Sequence, residues 1–156
     1  CGWLGDPKKA CSCPLRDVLT YRSKLSGPLL DRIDLHIEIP RVRYADLEAP
    51  RSGENSLAIR RRIERARDIQ RNRYRSAGIA ANSEMRDQEH AKYCEISPAS
   101  KKLLGMAMNE LALSGRAYSR ILKVSRSIAD LAGSDAILEE HVAEAIQYRL
   151  LDRPLV

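Results

Sequence analysis

Residues 113–133 read LSGRAYSRILKVSRSIADLAG, and this stretch decides the fold. Ser114 is a helix N-cap residue, with a hydroxyl suited to accept from a free N–H of the first turn. Ile121, Leu122, Val124, Ile128 and Leu131 follow on one side of a helix, and Gly133 supplies the stop. The cations sit against the usual preference: Arg116 falls in the first turn and Arg120 one turn on. A helix N-terminus carries partial positive charge, so Arg there disfavours the isolated helix and favours a bound phosphate. An ion pair with an acid on a neighbouring helix is the competing reading, and the sequence leaves both open.

Outward from this helix the pattern continues in both directions. Toward the C-terminus, residues 138–151 carry Val142, Ala145, Ile146 and Leu150 at helical spacing. Toward the N-terminus, Ser97 and Pro98 form a strong helix start, followed by Leu103, Leu104, Met106, Ala107 and Leu111. Asn82 and Ser83 are placed to cap a short helix running to about Tyr93. Residues 56–74 carry the stripe Ile59, Ile63, Ala66 and Ile69 or Gln70, with Gly78 as the break. The body is therefore read as a bundle of four or five helices.

The first part of the chain differs. Residues 15–25 are expected to form a short helix, followed by a tight turn at Gly27-Pro28. Ile33, Leu35, Ile37 and Ile39 then alternate with Asp34, His36 and Glu38, the pattern of a half-buried β-strand ended by Pro40. No second strand of that quality follows, and a lone strand leaves unpaired N–H and C=O groups. Its sheet is expected to lie upstream, in a longer protein. The fold class is thus mainly α, a helical bundle preceded by the truncated end of an α/β core. Residues 1–45 are expected to be that end, poorly ordered by themselves. Residues 46–55 are read as a polar linker and 56–152 as the helical domain.

Composition agrees with a foldable helical protein: 156 residues, 44% hydrophobic, 31% charged, 4% aromatic and no Phe. No apolar run approaches the roughly 18 residues that span a bilayer. Net charge is +6. Between residues 60 and 75, eight Arg stand against Glu64 and Asp68, so this segment alone matches the excess of the whole chain. Arg60, Arg61, Arg67 and Arg71 are its candidate phosphate-backbone contacts. A plain solvated face is as good a reading, because no aromatic residues interleave for base stacking.

Several chemistries are excluded from the chain itself. No phosphate-binding loop of the form G-x-x-x-x-G-K-[ST] occurs, and the three His lack ligand spacing. Alone, the chain is not expected to catalyse a reaction. Of the four Cys, Cys1, Cys11 and Cys13 cluster in a Gly/Pro-rich loop, three ligands where structural zinc wants four. On residues alone, reduced cysteines in a loop are the favoured reading, with a reducing, cytoplasmic setting. Cys94 is read as a small core residue.

The segments GDPKKACSCPLRDVLTYRSKLSGPLLDRIDLHIEIPRV and LSGRAYSRILKVSRSIADLAGSDAILEEHVAEAIQYR together closely resemble the C-terminal portion of the magnesium-chelatase-like AAA+ ATPases. That family includes competence-associated proteins linked to DNA branch migration. The resemblance implies an AAA+ core with Walker motifs upstream, ATP and Mg²⁺ as its cofactors, and a helical lid at the C-terminal end. It implies that Arg32 is an arginine finger acting in the neighbouring subunit of a homo-hexamer. It also implies that Arg116 is a sensor-2 arginine, with Arg120 beside it toward ATP. It raises zinc as a ligand of the cysteine loop in the intact protein. The implied function is ATP-driven remodelling of DNA, as in a branch-migration helicase. The alternatives are a motor for magnesium insertion into a porphyrin and a stand-alone basic helical binding module.

Overall fold

The computed structural model describes residues 1–6, 8–39, 41–42, 44–48 and 53–149. Helices α1 (Leu15–Arg22), α2 (Gly27–Leu30) and α3 (Tyr44–Glu48) occupy the first part. Helices α4 (Ser56–Arg73), α5 (Asp87–Tyr93), α6 (Pro98–Glu110), α7 (Gly115–Ala132) and α8 (Glu139–Gln147) form the body, with one 3₁₀ turn at Asn82–Glu84. Gly27-Pro28 therefore starts a helix instead of making a tight turn, and the expected linker begins inside α3. Pro40 and Leu150, to which expectations were attached, lie outside the described residues, as do residues 49–52 of the expected linker.

The body's helices start and stop where the caps stand. Asn55 accepts from the Ala58 N–H at 2.8 Å, Ser97 from Ser100 N–H at 3.1 Å and Ser114 from Ala117 N–H at 3.2 Å. Gly133 takes φ 70°, the left-handed conformation that lets the Ser134 N–H reach the Ala129 carbonyl at 2.8 Å. Helix α7 is central: it packs against α8, α4, α5 and the 3₁₀ turn, while α6 packs on α8. The core is built from Tyr74, Leu104, Ile121, Leu122, Val142 and Ala145, with Met85, Cys94, Ile96 and Ile137 around them. Complete burial of a Leu, Ile or Val contributes about 1.5–3 kcal/mol, so α6, α7 and α8 hold one another through a few such residues. Tyr74 meets Tyr93 edge-on at 5.2 Å between ring centres. Ile96 and Ile137 form one isolated parallel bridge.

Two sequence expectations are corrected. Burial on α4 begins at Ala66, and Ile59 and Ile63 are exposed, so the apolar stripe is longer than the surface it covers. Residues 33–39 carry no strand and bend at Asp34, and there is no strand among the described residues. The side expected to be buried is exposed: Ile33, Leu35, Ile37 and Ile39 are 40, 46, 62 and 83% exposed. The reason is that this segment's polar groups find partners on the helices. The His36 N–H donates to the Tyr148 carbonyl at 2.9 Å, Arg149 donates to the Ile33 carbonyl, and Arg120 pairs with Asp34. Of the polar residues only His36 is partly buried; Asp34 stays half exposed and Glu38 exposed, so neither side of the segment forms a buried face.

Candidate functional site

Ser114 opens α7 in an extended conformation and ties down its first turn. From there Arg116, Ser119, Arg120 and Lys123 recur at intervals of three and four residues, so they share a face. They line an open cleft of about 420 Å³, closed by Gly115, Asp34 and Ser83. Arg116 is exposed at its mouth. Arg120 is more enclosed and pairs with the Asp34 carboxylate. The Lys123 ammonium donates to the Ser83 carbonyl at 3.0 Å. Partial burial, and then the neighbouring Arg120 charge, hold the Lys123 pKa below its ordinary value. Three cations thus face one carboxylate beside the N–H groups of a helix start, an arrangement that favours an added anion.

The structure brings Arg116 and Arg120 together in this cleft and leaves Arg32 outside it. Arg32 is exposed, just past α2, and its N–H closes a turn to the Leu29 carbonyl at 3.0 Å. Its two neighbours in the chain are gripped. The Ile33 carbonyl accepts from Arg149, and Asp31 Oδ1 lies 3.7 Å from the same guanidinium. Only one residue separates Ile33 from Leu35, and that residue, Asp34, closes the cleft.

The basic helix carries less free charge than its count suggests. Arg60 and Arg61 are exposed. Arg62 pairs with Glu54 at 3.0 Å, Arg71 pairs with Asp68, and Arg67 donates to Gln70 Oε1 at 3.4 Å. Arg73 belongs to the core instead. It donates to Asp130 Oδ2 at 2.8 Å, and the same carboxylate accepts from Arg126 Nε at 3.1 Å and Asn82 Nδ2 at 2.8 Å. Arg126 also reaches the carbonyls of Asp135 and Ser134, at 2.8 and 2.6 Å. This buried cluster locks α4 to α7 and so fixes the bearing of the α7 cleft. Sequence reading missed it, although Arg126 and Asp130 stand four residues apart on one helix, a spacing that signals an ion pair.

The Cys1, Cys11 and Cys13 sulfurs lie within 4.8 Å of one another, Cys1 and Cys11 at 3.5 Å. Tetrahedral zinc, with bonds of about 2.3 Å to sulfur, holds thiolates about 3.8 Å apart, so these three fit three corners of such a site. Cys94 is buried instead against Met85, as a core residue.

Comparison with known proteins covers almost the entire chain. Residues 53–149 match the family described as magnesium chelatase, subunit ChlI C-terminal, and residues 1–47 match magnesium chelatase, subunit ChlI. Competence protein ComM of Haemophilus influenzae is 40% identical over 141 residues, 90% of this chain and 27% of its own length. The uncharacterized protein YifB of Salmonella typhimurium is 37% identical over 145 residues, 92% of this chain and 28% of its own length. YifB of Escherichia coli is 36% identical over the same extent. The chain therefore spans little more than a quarter of the curated relatives it matches. Among the described residues, no helix is long and apolar enough to cross a membrane.

Proposed function

The chain belongs to the magnesium chelatase ChlI family, and from that premise we propose that it is the lid and finger portion of a hexameric AAA+ ATPase that remodels DNA. One observation carries the reading: Arg116 and Arg120, in the first two turns of a capped helix, share one cleft with Lys123. In this reading residues 1–45 end the ATPase core, 46–55 connect, and 56–152 form the lid. Arg116 and Arg120 contact the phosphates of ATP bound with Mg²⁺. Arg32 projects from its exposed turn into the neighbouring subunit's site.

Each assigned role follows from side-chain chemistry. A guanidinium is planar, permanently charged and bidentate, which suits it to the oxygens of a phosphoryl group. Arg116 and Arg120 would bind and orient the phosphates, and their loss of contact after γ-phosphate release would free the lid. Arg32, supplied from the next subunit, would stabilise charge on the transferring group, a contribution of about 10³–10⁵ in rate in well-studied cases. Cys1, Cys11 and Cys13 would hold zinc as a structural tie for the loop.

DNA as the substrate is supported by the exposed Arg60, Arg61 and Arg67 and by the similarity to a competence protein. Arg71, paired with Asp68, would add little until a phosphate displaced its partner. The family's own description favours a second reading, a motor for magnesium insertion into a porphyrin. ATP turnover of the full-length protein, measured with branched DNA and separately with a porphyrin, tests both. Stimulation by DNA alone is the expected result, and stimulation by porphyrin alone would replace this reading with the second.

A further inference from the structure

Arg149 is fully buried, an unusual fate for a guanidinium. It stands just after the C-cap of α8, where the negative end of the helix favours a cation. Its outward reach is to the Ile33 carbonyl and toward Asp31, the residues on either side of Arg32. The preceding residue, Tyr148, accepts from the His36 N–H at 2.9 Å. The end of α8 therefore holds residues 31, 33 and 36. On the other flank Arg120, from the cleft face of α7, holds Asp34.

Apolar packing covers this segment only in part, since Ile33, Leu35 and Ile37 remain 40–62% exposed. The charge-assisted hydrogen bonds from Arg149 and Arg120 add to it, and these fix direction as well as distance. Arg120 also has two possible partners, the Asp34 carboxylate and an anion in the cleft. An anion that draws Arg120 away releases one point of the grip.

We propose that Arg149 and Asp34 are positioning residues for Arg32, forming a clamp through which occupancy of the α7 cleft in one subunit sets the finger offered to the next. This rests on the reading of Arg32 as an arginine finger. The clamp gives that reading a two-state element: Arg120 on Asp34 with the finger segment held, or Arg120 on phosphate with the segment released on one side. A ligand shifts such an equilibrium only by binding one state better, and competition for Arg120 supplies that difference.

The test uses the full-length protein with Arg32→Ala, Arg149→Lys or Asp34→Asn. Turnover is measured alone and after mixing with subunits whose own ATP site has been inactivated but whose clamp is intact. Misplacing a catalytic group by about 1 Å can cost about a hundredfold, so each clamp variant is expected to lose roughly ten- to a hundredfold in kcat. The KM for ATP should be unchanged or lower, because Asp34→Asn frees Arg120 for phosphate. Turnover should return on mixing, since intact fingers then serve the variants' sites. A merely structural defect in the variant's own cleft would not be restored this way. Asp34 is half exposed, so if Arg149→Lys lowers the melting temperature, Asp34→Asn decides alone. Wild-type turnover in Asp34→Asn overturns the clamp. So does a loss that mixing fails to restore while Arg32→Ala is restored, and in that case the finger reading survives. Undiminished turnover in Arg32→Ala removes the finger reading and the clamp with it.

Discussion

Replacing Asp130 by asparagine keeps the volume of a buried side chain and removes one negative charge. In the native chain that carboxylate accepts from Arg73 at 2.8 Å, Arg126 at 3.1 Å and Asn82 at 2.8 Å. Two opposite charges about 4 Å apart attract by about 4 kcal/mol at an effective dielectric of 20. Two such pairs are lost, but Asp130 no longer has to be taken out of water, which returns several kcal/mol. The two cations then differ. The Arg73 side chain, 13% exposed, can turn toward solvent, whereas Arg126, 4% exposed, cannot. One cation left buried without its partner typically costs about 3–5 kcal/mol. Asp130→Asn should therefore destabilise the helical domain by about 4 kcal/mol. For a domain near 100 residues this lowers the melting temperature by about 20 °C. Urea and thermal unfolding followed by circular dichroism measure it. Asp68→Asn, which breaks the exposed pair with Arg71, is the control and should cost less than about 1 kcal/mol. A loss below about 1 kcal/mol in Asp130→Asn would refute the claim that this cluster locks α4 to α7.

Other consequences are as direct. Burial pushes the Cys94 thiol from its ordinary 9.0 up to about 11, so the unfolded chain ionises first as the pH rises. The stabilisation, about 3 kcal/mol from the two values, is present in full below pH 9 and is lost on approach to pH 11. Cys94→Ala should flatten the pH dependence of unfolding between pH 9 and 10, and an unchanged slope would contradict the burial argument. Ser114→Ala removes the cap of α7 and should cost about 1 kcal/mol in urea titrations, with Ser114→Asp retaining most of it. No change in Ser114→Ala would show that the first turn is held by other contacts.

The helical body was legible because its caps are local. Ser97 with Pro98, and Ser114 with Gly133, give α6 and α7 boundaries that need no tertiary information. The site was legible in part. Arg116 and Arg120 stood out because cations at a helix start oppose the helix dipole, and the structure places both in one cleft. The competing reading named an acid on a neighbouring helix; Arg120 instead pairs with Asp34, which lies in the 31–39 segment and not on a helix. What failed depends on long-range partners. Residues 33–39 have the alternation of a strand, but alternation does not say what the backbone will bond to, and here the Ile33 carbonyl and His36 N–H bond to Arg149 and Tyr148. Arg73 was counted with the basic face because nothing local reveals Asp130, 57 residues away. Arg149 gave no signal, because the Ile33 carbonyl and Asp31, to which it reaches, lie more than a hundred residues earlier.

The central claim is that the start of α7 meets the phosphates of ATP. Its most direct test is ATP turnover by the full-length protein carrying Arg116→Ala, measured over a range of ATP concentrations beside the wild type. Removing one preorganised hydrogen-bond donor from a developing negative charge costs about 10²–10³ in rate. The account predicts a fall of at least a hundredfold in kcat/KM with the fold intact, because Arg116 is exposed. Turnover equal to the wild type at every ATP concentration would contradict it.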